Sequence, residues 1–531
     1  MSFVSLQFAA FIILLLIIYY LCPAKYRWAV LLCASVFFYC LCGVKYLLYI
    51  AFTVITTYVS AIAIENTVKG QKEYIAANKE TLSKDEKKAY KAACKKKTRR
   101  ILATALTLNF GILFFLKYAD TVVAYFNMYR LQWTGNANFV PFLNLALPLG
   151  ISFYTFQTMG YLIDVYYERT KAQKNILKLA LYSSYFPQII QGPISRYNDL
   201  APELFEEKAF DFNNIKSGFY RICWGLFKKM VIADRVSVYV SSSMDFAQYY
   251  KGGYLLLGVF FYAFQIYCDF SGGIDITIGV SEMLGIKMTE NFRRPFFSKS
   301  ISEYWSRWHI TLGTWFKDYI FYPLSVNKTV LKWGKWFRNH NMPVIGKRIP
   351  IYIPMLGVWV LTGMWHGSQM RYVYWGLLNC LFIILGTELK PLSEKIMGRL
   401  HLTEDMFIVK SYRIIKTFWL MSFLRLLDIN SSWDQAVTAF KGIFTGWSDF
   451  SFALIPQRFT FTSEDIRISF IGILVVFIFS MIQRKGSVRQ RIFKLPIALQ
   501  WVILSALIVS IVLFGAYGIG YDASSFVYMN F

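Results

Sequence analysis

The chain has 531 residues, 56% of them hydrophobic and 19% aromatic, and its mean hydropathy is +0.40. Lysine and arginine outnumber aspartate and glutamate by 57 to 31, for a net charge of +26. A soluble protein would alternate polar and apolar faces, whereas here long apolar runs recur; in such a chain the excess positive charge marks loops kept on the cytoplasmic side of a membrane, and no nucleic-acid partner is expected.

The apolar runs come in chain order. Met1–Leu21, Ile101–Leu116, Tyr254–Phe270, Ile466–Ile482 and Leu495–Tyr517 are near the length that spans a bilayer as a helix. Weaker candidates are Trp28–Cys42, Tyr46–Ile64, Phe142–Tyr161, Phe219–Val240, Tyr352–Met364, Tyr372–Leu385 and Ile414–Leu427. The expectation is an all-α polytopic membrane protein with about eleven or twelve segments, some short or re-entrant. The runs lack period-2 alternation, which excludes a β-barrel. Met1–Leu21 lacks a basic start and a small-residue cleavage site, so it reads as an uncleaved first span.

The charge is concentrated in three blocks, Lys69–Arg100, Asn327–Arg348 and Gln483–Lys494. The first reads as a cytoplasmic basic loop, 69–100, able to touch anionic lipid. With the first and third blocks inside, both termini face outward. The polar, aromatic stretch Asn430–Asp465 reads as an outer insertion, 430–465, within a single membrane domain, 1–531. Between Asn175 and Ala209, Pro187, Pro193 and Pro202 break any spanning helix, which lipid tolerates only where protein or a water-filled cavity covers the backbone. The eight cysteines are scattered, mostly in apolar runs, and form no disulfide or metal framework.

The centre of the chain, Tyr267–Leu324, is dense in charge yet rich in Trp and Phe. Polar groups this dense in an apolar protein line a pathway or a site. Glu303 and Arg307 are spaced to pair on one helix face, with Arg307 and His309 then on different faces. The plainer alternative is an interfacial amphipathic helix anchored by Trp305, Trp308 and Trp315. Of four histidines, His340 and His401 lie in polar loops. His309, in "SRWHITLG", and His366, in "LTGMWHGSQMRYVYWG", each follow a Trp beside apolar spans. Either could be a buried structural histidine. The functional alternative is general-base catalysis, since burial disfavours the charged imidazole and leaves it able to accept a proton. Neither a G-x-S-x-G elbow nor an HExxH motif is present. A metal site on the two histidines stays open but has no obvious third ligand nearby in sequence, which leaves direct acyl transfer as the chemistry these residues suit best. In that reading Trp365, Tyr372, Tyr374 and Trp375 wall off water, and Gly363 and Gly367 let backbone approach a narrow passage.

The motifs resemble those of the membrane-bound O-acyltransferase (MBOAT) family, most closely its AlgI-type polysaccharide O-acetyltransferases and the related D-alanyl transfer protein DltB. The matching stretches are "YFPQIIQGPISRY" (Tyr185–Tyr197), "FQIYCDFSGGIDITIGVSEMLGIKMTENFRRPF" (Phe264–Phe296), "SISEYWSRWHITLGTWFKDYIFYPL" (Ser300–Leu324), "GMWHG" (Gly363–Gly367) and the tail from Phe514 to Phe531. Gly273 departs from the pattern, standing where these families usually have an aromatic residue. The resemblance implies a helical ring around a central funnel, with His366 as principal catalytic residue and His309 in support. It places Trp365, Gly367, Asp269, Ser271, Asn291, Trp305, Arg307, Trp308 and Asp318 along the substrate tunnel or around the histidines. It implies no metal and no bound cofactor. The resemblance further implies that the acyl donor, acetyl-CoA or an acyl-carrier protein, is a cytoplasmic substrate, and that an extracytoplasmic partner of the AlgJ, AlgX or DltD type completes transfer to a cell-envelope polysaccharide. D-alanyl transfer to teichoic acid is the near alternative. A lipid-linked glycan transporter without chemistry is the distant one, although no internal repeat is evident. The expected location is a bacterial cell membrane.

The orientation is directly testable. On a cysteine-free background, Ser83→Cys in the first basic block should resist an impermeant thiol reagent in intact cells and react after permeabilisation. Labelling in intact cells would reverse the orientation.

Overall fold

The computed structural model describes residues 2–135 and 139–517. The part of the tail motif from 518 to 531 lies outside the described residues. The described chain is α-helical, with a single isolated β-bridge, Phe292 to Trp308, and no strand. Among the described residues, seven helices are long and apolar enough to cross a membrane. The chain clusters into two units, one of Gln7–Phe212 with Leu284–Thr289, the other of Asn213–Met283 and Glu290–Phe531 with Ser2–Leu6.

In the first unit, the runs expected to span become the helices Leu6–Leu21, Arg27–Cys40, Leu47–Ala77 and Lys84–Thr134. Two expectations are corrected here. The basic block 69–100 is not a loop. The Leu47–Ala77 helix carries through it to a short turn, and Ser83 then starts a 51-residue helix by accepting from Glu86 N while the Glu86 carboxylate accepts from Ser83 N. Ala, Lys and Glu dominate this stretch and are among the strongest helix formers. The Phe142–Tyr161 run is helical only from Ile151. Pro141 and Pro148 deny the preceding residues a helical backbone, and Asn127 instead exchanges hydrogen bonds with Val140 N and O at 2.8 and 2.9 Å. Around Pro187, Pro193 and Pro202 the chain breaks into the short helices Ile176–Ser184, Phe186–Gln191 and Tyr197–Phe205. Buried side chains serve the broken backbone: Gln157 donates to Tyr182 O, Tyr182 to Ser195 O and Gln188 to Pro193 O.

The second unit is organised by one antiparallel pair. The first member runs from Phe212 to Asp245 and is wound as a π-helix over Phe227–Ala233. The second is the buried helix Gly253–Met283. They meet through two glycine pairs, each seven residues apart on its helix. A Cβ on Gly218 would run into Gly279 O, and one on Gly225 into Gly272 O. Helices in apolar surroundings associate by such close backbone approach. Between the glycines and just beyond them, charges meet: Arg221 Nε lies 2.8 Å from Asp275, Lys228 Nζ 2.6 Å from the same carboxylate, and Lys229 Nζ 2.8 Å from Asp269. The π-turn delivers the adjacent Lys228 and Lys229 to different acids on one neighbour, where an α-helix would swing consecutive side chains about 100° apart.

A side chain in this seam must displace backbone rather than a mobile neighbour. Gly225→Leu should therefore lower the Tm and the yield of monodisperse detergent-solubilised protein, at or above the usual ~1–3 kcal/mol of overpacking. Gly386→Ala, whose Cβ meets open space, should leave both unchanged or slightly improved. Equal behaviour of the two variants would show that the seam tolerates separation.

Candidate active site

His309 sits at a break. The helix Ile301–Arg307 ends before it, Trp308 is extended, and His309 itself is left-handed at φ 47°, immediately ahead of the helix Ile310–Phe316. The expectation of one helix carrying Arg307 and His309 on different faces is thus corrected. Pairing across the chain drives the break: Arg293 N donates to Arg307 O at 2.9 Å and Ile310 N to Asn291 O at 3.0 Å, on either side of the Phe292–Trp308 bridge. A left-handed non-glycine residue persists only where its surroundings over-determine it. The interfacial-anchor alternative fails as well. Trp308 and Trp315 are buried in protein, with the Arg425 guanidinium 4.4 Å from the Trp308 ring centre and Tyr304 stacked at 5.6 Å. Trp305 donates to Asn379 Oδ1 at 3.0 Å.

Asn291 determines the state of the His309 ring. Its Oδ1 accepts from Thr311 N at 3.1 Å and from Thr311 Oγ1 at 3.0 Å. A backbone N–H can only donate, which fixes the amide orientation, and the two donors fill both lone pairs of that oxygen. Asn291 Nδ2 lies 3.2 Å and its Oδ1 3.3 Å from His309 Nδ1. Because Thr311 already engages Oδ1, we assign the contact to Nδ2 as donor, with Nδ1 accepting and the ring proton on Nε2.

His366 ends the helix Pro343–His366, and the chain turns through Gly367 into the helix Met370–Glu388. Close packing sets this hairpin. A Cβ on Gly363 would strike Tyr372 O, one on Gly376 Trp359 O, and one on Gly367 the Tyr372 ring. The sequence assigned Gly363 and Gly367 to a narrow passage, but in the structure the space beside them is filled by Tyr372. Both histidines are buried, and Trp365 packs against each, its ring centre 5.6 Å from His309 and 5.0 Å from His366. Trp375 closes the far side of His366 at 4.7 Å and Phe270 packs edge-on against His309 at 4.9 Å. Asn379, which receives Trp305, donates to Trp375 O at 2.9 Å. His309, Asn291, Trp305, Trp308, Trp365 and His366 thus belong to one aromatic cluster.

Other residues singled out from the sequence hold different positions. Asp269 and Ser271 serve the helix pair, Ser271 accepting from Lys228 Nζ at 2.8 Å. Arg307 pairs with Glu303 at 2.5 Å, as their spacing implied. Asp318 lies in the π-helical turn Lys317–Phe321. Sequence reasoning passed over Arg221, Lys228, Lys229, Asn379 and Arg425. The signal for the first three was present, because cations within the apolar run Phe219–Val240 require partners. Among the described residues, no three potential metal ligands come together.

Residues 104–337 match the model of the MBOAT, membrane-bound O-acyltransferase family. A protein of Azotobacter vinelandii named as a probable alginate O-acetylase is 31% identical over 380 residues, 72% of this chain and 67% of that one. The chain belongs to the membrane-bound O-acyltransferase family. A Helicobacter pylori protein named peptidoglycan O-acetyltransferase is 31% identical, covering 66% of this chain and 62% of its own. A Bacillus subtilis protein named teichoic acid D-alanyltransferase is 30% identical, covering 45% and 59%. The chain spans little more than half the length of several relatives it matches. The MBOAT match includes Asn291 and His309 and ends before His366.

The Asn291 geometry has a spectroscopic signature. In ¹⁵N-histidine-labelled protein, His309 should show the Nε2–H tautomer. Asn291→Asp, which replaces the donating amide with an acceptor, should move the proton to Nδ1 or populate the doubly protonated ring. An Nδ1–H tautomer in the parent protein would invert the donor and acceptor assignment.

Proposed function

We propose that this protein is an O-acyltransferase that passes an acyl group, acetyl in the leading reading, from a cytoplasmic thioester toward hydroxyls of a cell-envelope or secreted polysaccharide. The observation that carries the proposal is the pair of buried histidines around Trp365, in a chain of this family. His366 is the general base: it takes the proton of an attacking hydroxyl as the oxygen bonds to the thioester carbonyl carbon. His309, with its Nε2 proton directed by Asn291, donates to the oxygen on which negative charge develops. Collapse expels the thiolate, which recovers a proton from His366. The surrounding Trp and Phe rings exclude water, which would otherwise hydrolyse the thioester.

The acetyl assignment rests on two similar proteins named as O-acetyl-transferring enzymes. D-alanyl transfer is the second reading, favoured by the similar teichoic acid D-alanyltransferase. The donor is acetyl-CoA or an acyl-carrier protein, and an extracytoplasmic partner accepts or delivers the group. Both termini and the outer insertion 430–465 face outward, and the basic hairpin 69–100 faces the cytoplasm.

His366→Ala should reduce transfer by about 10²–10⁴-fold while the protein still inserts and purifies as a single species. The measurement is thioester consumption and polymer acylation in the same membranes, for both acetyl and D-alanyl donors. His309→Gln, which retains a donor, should keep partial activity. Near-parental acylation by His366→Ala at normal abundance would remove His366 from the chemistry.

A further inference from the structure

A cavity of 1110 Å³ in the second unit holds neither histidine. Its long wall is apolar and comes from the helices Ser463–Ile482 and Ile497–Phe514, through residues such as Ile471, Val475, Phe479 and Leu507. Both helices are candidate membrane spans. Ile471, which lines the cavity, is 62% exposed, so the wall continues onto the lipid-facing surface between the two helices.

The other end is basic. Seven lysine or arginine side chains line the cavity against two acids. Arg221 and Lys228 are neutralised by Asp275 and Glu290, Arg307 by Glu303, and Arg489 by Glu282. Among the described residues Arg293, Arg294 and Arg484 make no ion pair. Arg294 Nε is buried without a hydrogen-bond partner. Burial and the neighbouring Arg307 and Arg484 guanidinia all push Arg294 below its ordinary value. Like charges gathered beside an apolar chamber favour an anion to offset them, and basic pockets between spanning helices suit phosphate headgroups.

We propose that this cavity binds an anionic glycerophospholipid from the surrounding bilayer, its phosphate on Arg294 and Arg484 and its acyl chains along Ile471, Val475 and Leu507. The site is separate from the histidine cluster and does not depend on the acyl-transfer reading. A nucleotide thioester also carries phosphate, but the extended apolar wall and its opening between two spans match acyl chains that arrive from lipid.

The test uses full-length protein in detergent, with lipid binding read by native mass spectrometry and Tm. Phosphatidylglycerol should bind about tenfold or more tightly than phosphatidylcholine with the same chains, and it should raise the Tm further. Arg294→Gln with Arg484→Gln should abolish that preference. Val475→Trp, which fills the apolar wall and leaves the arginines in place, should weaken both lipids. Coenzyme A should displace neither. Equal binding of the two lipids, a preference that survives the arginine double variant, unchanged binding to Val475→Trp, or displacement by coenzyme A would each overturn the proposal.

Discussion

Everything in the second unit depends on how closely two helices approach. Gly218 and Gly225 rest on the backbone at Gly279 and Gly272, with no side chain to hold the partners apart. At that separation Arg221, Lys228 and Lys229 reach Asp275 and Asp269 directly. Lys229 and Asp269 are each 1% exposed and lie 2.8 Å apart, with Asp234 a second acid 2.7 Å from Lys229; a buried ion stripped of its partners costs about 3–5 kcal/mol. Glycines and ion pairs are therefore one device: the small residues set the distance, and the charges make that distance and register the only satisfactory one. This is a specificity argument rather than a stability argument, since well-packed apolar residues often hold helices as well.

The same buried helix carries the device toward the histidines. Phe270, one residue from Asp269, packs on the His309 ring and on Phe292. Phe292 in turn forms the bridge that stops the preceding helix at Trp308. The left-handed backbone of His309 is thus held from three directions, by the bridge, by Asn291 and by the Phe270 face. Trp365 then links it to a histidine on a tightly packed hairpin. Neither imidazole sits on a mobile loop, in keeping with groups that must hold their orientation at the moment of reaction.

Much of this was legible from residues alone. Apolar runs located the helices, because lipid leaves few alternatives to them. The prolines at 187, 193 and 202 announced the broken segment, and the W-H-G and R-W-H elements pointed to the two histidines. What escaped was long-range. Nothing local to "SRWHIT" shows that residues 291–293 will pair with 307–310 and end the helix, since a bridge is a property of two distant stretches. Gly363 and Gly367 looked like a passage, yet a glycine marks close approach without saying what approaches, and the visitor is Tyr372. The charge of the basic block points to a connecting loop, while its Ala, Lys and Glu content favours the helix it forms. Lys228 and Lys229 are masked in the opposite way, their charge diluted by the apolar residues of the run around them.

The helix Lys84–Thr134 acts as a built-in ruler. Its 51 residues rise roughly 76 Å at 1.5 Å each, about two and a half times the thickness of a hydrocarbon core. Along its axis, Lys84 stands about 24 Å beyond Arg100. Arg99 and Arg100 can lie within a Debye length, about 8 Å, of the lipid headgroups, but the lysines at the capped end are several screening lengths away. The mast therefore divides the basic block unevenly. Its base carries Lys91, Lys95, Lys96, Lys97, Arg99 and Arg100 with no acid among them, whereas at its tip Asp85 and Glu86 offset two of Lys84, Lys87 and Lys88. On the proposed orientation the positive charge would gather toward the surface potential of the bilayer, and the tip would meet the solution nearly neutral.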